Sequence, residues 1–125
     1  MTSDKDIDSA FSSISDVHGG KLHCLLHSVA FATTQSIKSP LLECSRDDFR
    51  IAHDASTYSL IALARGATPL MTRSDGTYSN SGSPSIVTLS YLGAQRVVPQ
   101  YGIMGAAKAS LEAVARQLAV EMVRF

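Results

Sequence analysis

No stretch of the sequence gathers positive charge. Eleven Lys and Arg residues balance eleven Asp and Glu over 125 residues. The electrostatic footprint needed to bind a phosphate backbone is missing, so nucleic acid is not an expected partner. Long apolar runs are missing too: the longest, around residues 22–32 and 85–92, fall far short of the roughly 20 residues that cross a bilayer. No membrane span follows. The N-terminus opens on Asp4, Lys5, Asp6 and Asp8 in place of the apolar core of a secretion signal, which points to the cytoplasm. Cysteine is scarce. Cys24 and Cys44 have neither CxxC nor Cys/His ligand spacing and read as reduced thiols. His18, His23, His27 and His53 share no ligand spacing either, so no metal site is expected.

What is present is an ordinary globular composition, 45% hydrophobic and 18% charged, of a length that suits one small domain. Ile7, Phe11 and Ile14 fall at helical spacing between Asp4 and Val17, and Gly19 and Gly20 supply a stop. Residues 21–31, KLHCLLHSVAF, form a nearly continuous apolar run of strand length, which predicts a strand buried on both faces as in a parallel sheet. Residues 32–44 read as loop. Ser45 and Asp48 resemble a capping box, and the helix they open runs to about Met71 with Phe49, Ala52, Ser56, Ser59, Leu60, Leu63 and Ala67 on one face. Gly66 and Pro69 loosen its end. Residues 72–84, TRSDGTYSNSGSP, read as a mobile polar loop. A second strand is expected over 85–91, then a loop around Gly93 and Pro99, then a long Ala-rich helix from Tyr101 through Val123.

The order helix, strand, helix, strand, helix is a βαβ unit with flanking helices, the repeating piece of a doubly wound parallel-sheet α/β fold. Two parallel strands alone would leave both edges unpaired. Further strands are therefore expected outside the chain, and the absence of a C-cap near Phe125 agrees with a helix that continues.

In open α/β sheets ligands gather at the carboxyl ends of strands, here the segments starting at 27–32 and 91–101. Tyr101 and Lys108 stand seven positions apart at the start of the last helix, which puts both on one face roughly 10 Å apart along the axis, with Met104 between. A cationic lysine near a phenol favours the phenolate and can also hold the ribose hydroxyls of a cofactor, making the pair a proton donor and its orienter. On spacing alone the commoner reading is a Tyr that caps the helix and a solvated Lys. His53 and Asp54 suggest an acid/base pair, but helix neighbours point in different directions and a surface or interface role is the expectation.

The surrounding residues change the balance. SIVTLSYLGAQRVVPQYGIMGAAKASLEAVARQLAV at 85–120, LLHSVAFA at 25–32 and DDFRIAHDASTYSLIALAR at 47–65 closely resemble the bacterial and plastid type of enoyl-acyl-carrier-protein reductase. That family belongs to the short-chain dehydrogenase/reductases and differs from most of them by six residues, instead of three, between Tyr and Lys. This sequence has the six-residue form, and the 45–71 helix has no Asn where ordinary members commonly keep a catalytic one. The polar stretch 72–84 looks like an insertion.

The resemblance implies a partial Rossmann-type reductase domain spanning 1–125, without the glycine-rich first βαβ unit or the C-terminal substrate-covering part. It implies NADH-dependent reduction of the trans-2 double bond of an enoyl thioester on acyl carrier protein, a step of fatty-acid biosynthesis. Tyr101 would stabilise the enolate, Tyr91 would line the acyl pocket and assist it, and Lys108 would hold the nicotinamide ribose. Ser28, Val29 and Ala30 would pass beside the cofactor, Val29 through its backbone, while Phe31, Ala32 and Met104 would line the substrate pocket. The family forms tetramers through its two long helices, and Ala106, Ala107, Ala109 and Ser110 suit either that close packing or packing on the sheet. The location implied is the cytoplasm, or a plastid where a transit peptide precedes Met1. None of the eight glycines forms a G-x-G-x-x-G turn to receive a pyrophosphate. The alternative reading is therefore an inactive truncated chain that at most docks with full-length subunits.

Overall fold

The computed structural model describes residues 2–71 and 84–122. The expected polar loop therefore lies outside the described residues apart from Pro84. Helix α1 spans Asp4–His18. Ser3 caps it by accepting from the Asp6 amide at 3.3 Å, and Asp4 and Asp6 complement the positive end of its dipole. Gly19 and Gly20 both adopt positive φ, 61° and 71°, so that the Gly20 amide can return to the Ser15 carbonyl at 2.8 Å; a side chain at either position would resist that backbone.

Strand β1 covers Cys24–His27 and β2 covers Ser85–Thr88. They pair in parallel, Cys24 with Ser85 through His27 with Thr88. Both are shorter than the apolar runs suggested. The expected burial on both faces is also corrected: Leu25 and Ile86 pack against Ile7, Phe11, Ala62, Leu63, Ala67 and Met71, whereas Leu26, on the opposite face, is 60% exposed with Val87 and Leu89 exposed beside it. Alternation with a period of two divides each strand between these faces. The continuous apolar run hid which face the described helices cover.

Residues 32–44 are not simply loop. Thr33 accepts from the Ser36 amide at 3.1 Å and opens a short helix α2, Thr34–Lys38, followed by one tight turn, Leu41–Glu43. Ser45 then caps α3, Arg46–His53, accepting from the Asp48 amide at 3.0 Å. The Asp48 carboxylate receives the hydroxyls of Ser45 and Thr33, which hold its pKa below the usual carboxylate value and tie the starts of α2 and α3 together. A wide π-type turn, Asp54–Tyr58, carries α3 directly into α4, Ser59–Met71. The Ala52, Ser56, Ser59, Leu60, Leu63 and Ala67 face is buried as expected, but Phe49 is exposed and stacks on His53 with ring centroids 3.9 Å apart. Pro69 sits inside the last turns of α4. Helix α5 runs Gly102–Met122.

Gly66 decides how α1 meets α4. A Cβ there would lie 2.3 Å from Cδ2 of Phe11, so the buried ring occupies the space a side chain would take. Gly66→Ala gains up to about 1 kcal/mol of helix propensity but overpacks the α1–α4 contact, and we expect a net loss of roughly 1–2 kcal/mol in urea unfolding. Adding Phe11→Leu should restore part of it. Equal stability of wild type and Gly66→Ala would show that α1 is not seated as described.

Candidate active site

The site grows from the ends of the two strands. β1 ends at His27, whose ring is 0% exposed. Its Nε2 lies 2.8 Å from Ser59 Oγ and its Nδ1 lies 2.8 Å from Thr88 Oγ1. The Ser59 hydroxyl donates to the Ala55 carbonyl at 2.6 Å, so its oxygen is left to accept, and His27 must donate from Nε2. Nδ1 then accepts the Thr88 hydroxyl. This is the neutral Nε2–H tautomer. Burial, and next the charge of Lys108, lowers the pKa of His27, in agreement with that assignment. Sequence reading placed His27 among four histidines without ligand spacing and missed this role.

Beyond β1, Ser28 and Ala30 are exposed and Val29 is half-buried at the strand's carboxyl end. Phe31 is exposed, yet its backbone is fixed: its amide donates to Ser56 Oγ at 3.0 Å, and the same hydroxyl donates to its carbonyl at 3.2 Å. Ser56 belongs to the wide turn and lies 4.0 Å from the Met104 sulfur. Met104 is buried with Ala52 and Ile103, against which Ala32, Ile37 and Tyr101 pack. The structure thus gathers Phe31, Ala32, Met104 and Tyr101 around one turn of helix, with Met104 beneath the surface.

Beyond β2, two ties lay the chain onto α5 one helical turn apart. Lys108, 7% exposed, donates from Nζ to the Leu89 carbonyl at 2.7 Å, and Ser90 Oγ donates to Glu112 at 2.7 Å. The expectation of a solvated lysine is thereby set aside. Burial lowers the pKa of Lys108. The connection then turns through Leu92–Ala94 and presses on α5, since a Cβ on Gly105 would sit 2.8 Å from the Gly93 carbonyl oxygen and one on Gly93 would sit 2.4 Å from the Tyr101 ring. Gln100 takes a left-handed φ of 58° just before α5, a conformation costing an L residue roughly 1–2 kcal/mol.

These constraints bring Tyr91 and Tyr101 together, with ring centroids 4.7 Å apart and planes at 60°, an edge-to-face pair. Burial, then the neighbouring Tyr91, raises the pKa of Tyr101. The phenol is therefore a proton-bearing donor at neutral pH. This revises the expectation that Lys108 would favour the phenolate: the ammonium is engaged by Leu89, and the net shift of Tyr101 runs the other way. Among the described residues no group of three His, Cys, Asp or Glu side chains could hold a metal ion, and no helix is long and apolar enough to cross a membrane.

The whole of residues 1–125 matches the family model described as enoyl-(acyl carrier protein) reductase. The chain is 39% identical over 122 residues to the NADH enoyl-acyl-carrier-protein reductase FabI of Bacillus subtilis, covering 98% of this chain and 43% of that protein. It is 45% identical over 105 residues to the corresponding FabI of Aquifex aeolicus, covering 84% of this chain and 36% of the relative. It is also similar to a solved enoyl-acyl-carrier-protein reductase of Bacillus cereus with NADP+ and indole naphthyridinone, with a TM-score of 0.87 and 38% identity over 98% of this chain and 44% of that one. The chain therefore spans less than half the length of the relatives it matches.

The depressed pKa of His27 has a consequence for stability. Free imidazole titrates near 6.5, so on acidification the unfolded chain takes up a proton before the folded one does. His27's contribution should be complete above about pH 6.5 and should be lost as pH falls through the lower folded-state value. We expect urea midpoints flat between pH 7 and 8 that decline below 6.5, with a shallower decline in His27→Asn. Identical pH profiles for the two proteins would refute a buried neutral His27.

Proposed function

The chain belongs to the enoyl-(acyl carrier protein) reductase family, and from that premise we propose that it carries the catalytic centre of an NADH-dependent reduction of the trans-2 double bond in an enoyl thioester on acyl carrier protein. One observation supports this above the rest: the Tyr91–Tyr101 pair and the buried Lys108 ammonium of α5, held on the Leu89 carbonyl just past β2, lie at the carboxyl side of a parallel sheet, where α/β folds receive ligands.

The residues present fit the nicotinamide-ribose half of the cofactor. Lys108 gives one of its N–H donors to Leu89, leaving two for ribose hydroxyls, and the small Ser28 and Ala30 flank Val29 at an open strand end, which suits close approach of a flat ring. No G-x-G-x-x-G turn is present in the sequence to receive the pyrophosphate. The cofactor, when bound, supplies the hydride that reaches the β-carbon.

Tyr101 donates its phenolic hydrogen bond to the thioester carbonyl oxygen and stabilises the charge that develops there as the enolate forms. Its raised pKa suits this task, because the hydrogen stays on the phenol until charge appears on the substrate. Tyr91 fixes the Tyr101 ring by its edge contact and lines the acyl pocket with Phe31 and Ala32, which Met104 backs from below. Lys108 orients the ribose.

In this reading the protein is a homotetramer built through α3–α4 and α5, and it works in the cytoplasm or in a plastid. The exposed Ala109 and half-buried Ala106 and Ser110 suit such a contact. Ala107 is fully buried within the chain, where its carbonyl receives Thr57.

In the complete reductase containing these residues, Tyr101→Phe should lower kcat by on the order of 100-fold with little change in NADH affinity. Lys108→Ala should instead raise the Kd for NADH, read by quenching of cofactor fluorescence. Unchanged turnover in Tyr101→Phe would remove Tyr101 from the mechanism. For the 125-residue chain alone, cooperative unfolding without any NADH signal would favour the docking reading over independent catalysis.

A further inference from the structure

His27 is fully buried, has two directional partners and has no part in the reaction described above. Its hydrogen-bond partners Ser59 and Thr88 lie 32 and 61 positions away in sequence, so packing volume alone does not explain why the position carries an imidazole. Its surroundings lead to Lys108. The His27 carbonyl accepts the Leu89 amide at 3.1 Å, extending the parallel ladder by one rung. The His27 ring accepts the Thr88 hydroxyl at 2.8 Å. Residues 88 and 89 are therefore held by His27 through its ring and its carbonyl, and the carbonyl of Leu89 is the group that Lys108 Nζ meets at 2.7 Å. On the other side, Nε2 donates to Ser59, which fixes the ring against α4.

We propose that His27 is a positioning residue: by accepting the Thr88 hydroxyl at the end of β2, its imidazole sets where the following Leu89 carbonyl stands and so where the Lys108 ammonium is presented.

The arm that matters is Nδ1 to Thr88. A purely structural histidine would serve through either arm, and losing it would lower stability without moving Lys108. Substitution separates these cases because the Oδ1 of asparagine is attached at Cγ as Nδ1 is, and can accept from Thr88 without reaching Ser59. His27→Asn keeps the arm the inference needs, His27→Ala removes both, and Thr88→Val removes the Thr88 hydroxyl while keeping a β-branched residue suited to a strand.

The test needs no cofactor. In the complete protein containing this chain, lysines are acylated sparingly and the modification of Lys108 is compared by mass spectrometry with that of the exposed Lys5, Lys21 and Lys38. We expect normalised labelling of Lys108 to rise about threefold or more in His27→Ala and Thr88→Val, as one hydrogen bond's net contribution implies, and to stay at the wild-type level in His27→Asn. Where His27→Ala does not fold, Thr88→Val against His27→Asn carries the comparison. Unchanged Lys108 labelling in Thr88→Val, with only a lowered melting temperature, would overturn the inference.

The functional consequence rests on the assignment of Lys108 to the nicotinamide ribose, so NADH affinity is measured in the same variants. Loss of affinity that follows the labelling supports both statements. Labelling that changes as expected while affinity stays constant leaves His27 as the positioning residue and removes Lys108 from the ribose.

Discussion

The wide turn at Asp54–Tyr58 is the constraint on which the rest of the site depends. The Ser59 amide reaches back five residues to the Asp54 carbonyl, one further than an α-helix allows, and the Ser59 hydroxyl takes up the Ala55 carbonyl that the amide passed over. That single choice leaves the Ser59 oxygen as an acceptor and so selects the His27 tautomer. The same turn carries Ser56 to the Phe31 backbone and Thr57 to the Ala107 carbonyl. Three hydroxyls within four residues connect α4 to β1, to the segment leaving β1 and to α5. An unbroken α-helix would place successive side chains 100° apart, and the extra residue of the wide turn alters which of them face the same neighbour.

Polar satisfaction explains why these ties fall at the strand ends. Where β1 and β2 leave the ladder, their amides and carbonyls lose sheet partners and must find others. The Phe31 amide finds Ser56 and the Leu89 carbonyl finds Lys108, while the Ser90 side chain adds a tie to Glu112. The groups that remain at the carboxyl edge are the tyrosine pair and the exposed Ser28 and Ala30. The candidate site is in this sense what is left after the backbone has been satisfied. Gly93 and Gly105 bring the connection after β2 close enough to α5 for this to work, as the Cβ clashes at both positions show.

Features written in local spacing were legible in the sequence. The glycine stop of α1, the Ser45–Asp48 cap and the long helix after Tyr101 rest on residues within a turn or two of each other, the βαβ order follows from the succession of such elements, and the structure has each of them. Features that depend on distant partners were not legible. The role of His27 requires Ser59 and Thr88, far off in sequence. Helix α2 depends on Thr33 serving both the Ser36 amide and the Asp48 carboxylate, and the loop-like composition of 32–44 concealed it. The continuous apolar run of β1 could not reveal that Leu26 faces outward, because a run without alternation carries no facing information. Phe49 looked like core by periodicity; its ring instead covers His53.

The treatment of charge at the site follows from the same economy of contacts. A lysine at 7% exposure loses most of its hydration, and one carbonyl replaces only part of it, which is why burial lowers its pKa. An ammonium left with unfilled donor capacity in a dry setting gains more from a hydroxyl-bearing ligand than a solvated one would, because that ligand displaces little water. Tyr101 is handled in the opposite sense, its burial discouraging the charged form and keeping the hydrogen in place. Burial thus acts on both residues by penalising charge, lowering the pKa of the lysine and raising that of the tyrosine. Tyr101 stands just before α5 and Lys108 within it, and the partner that engages the ammonium is the Leu89 carbonyl.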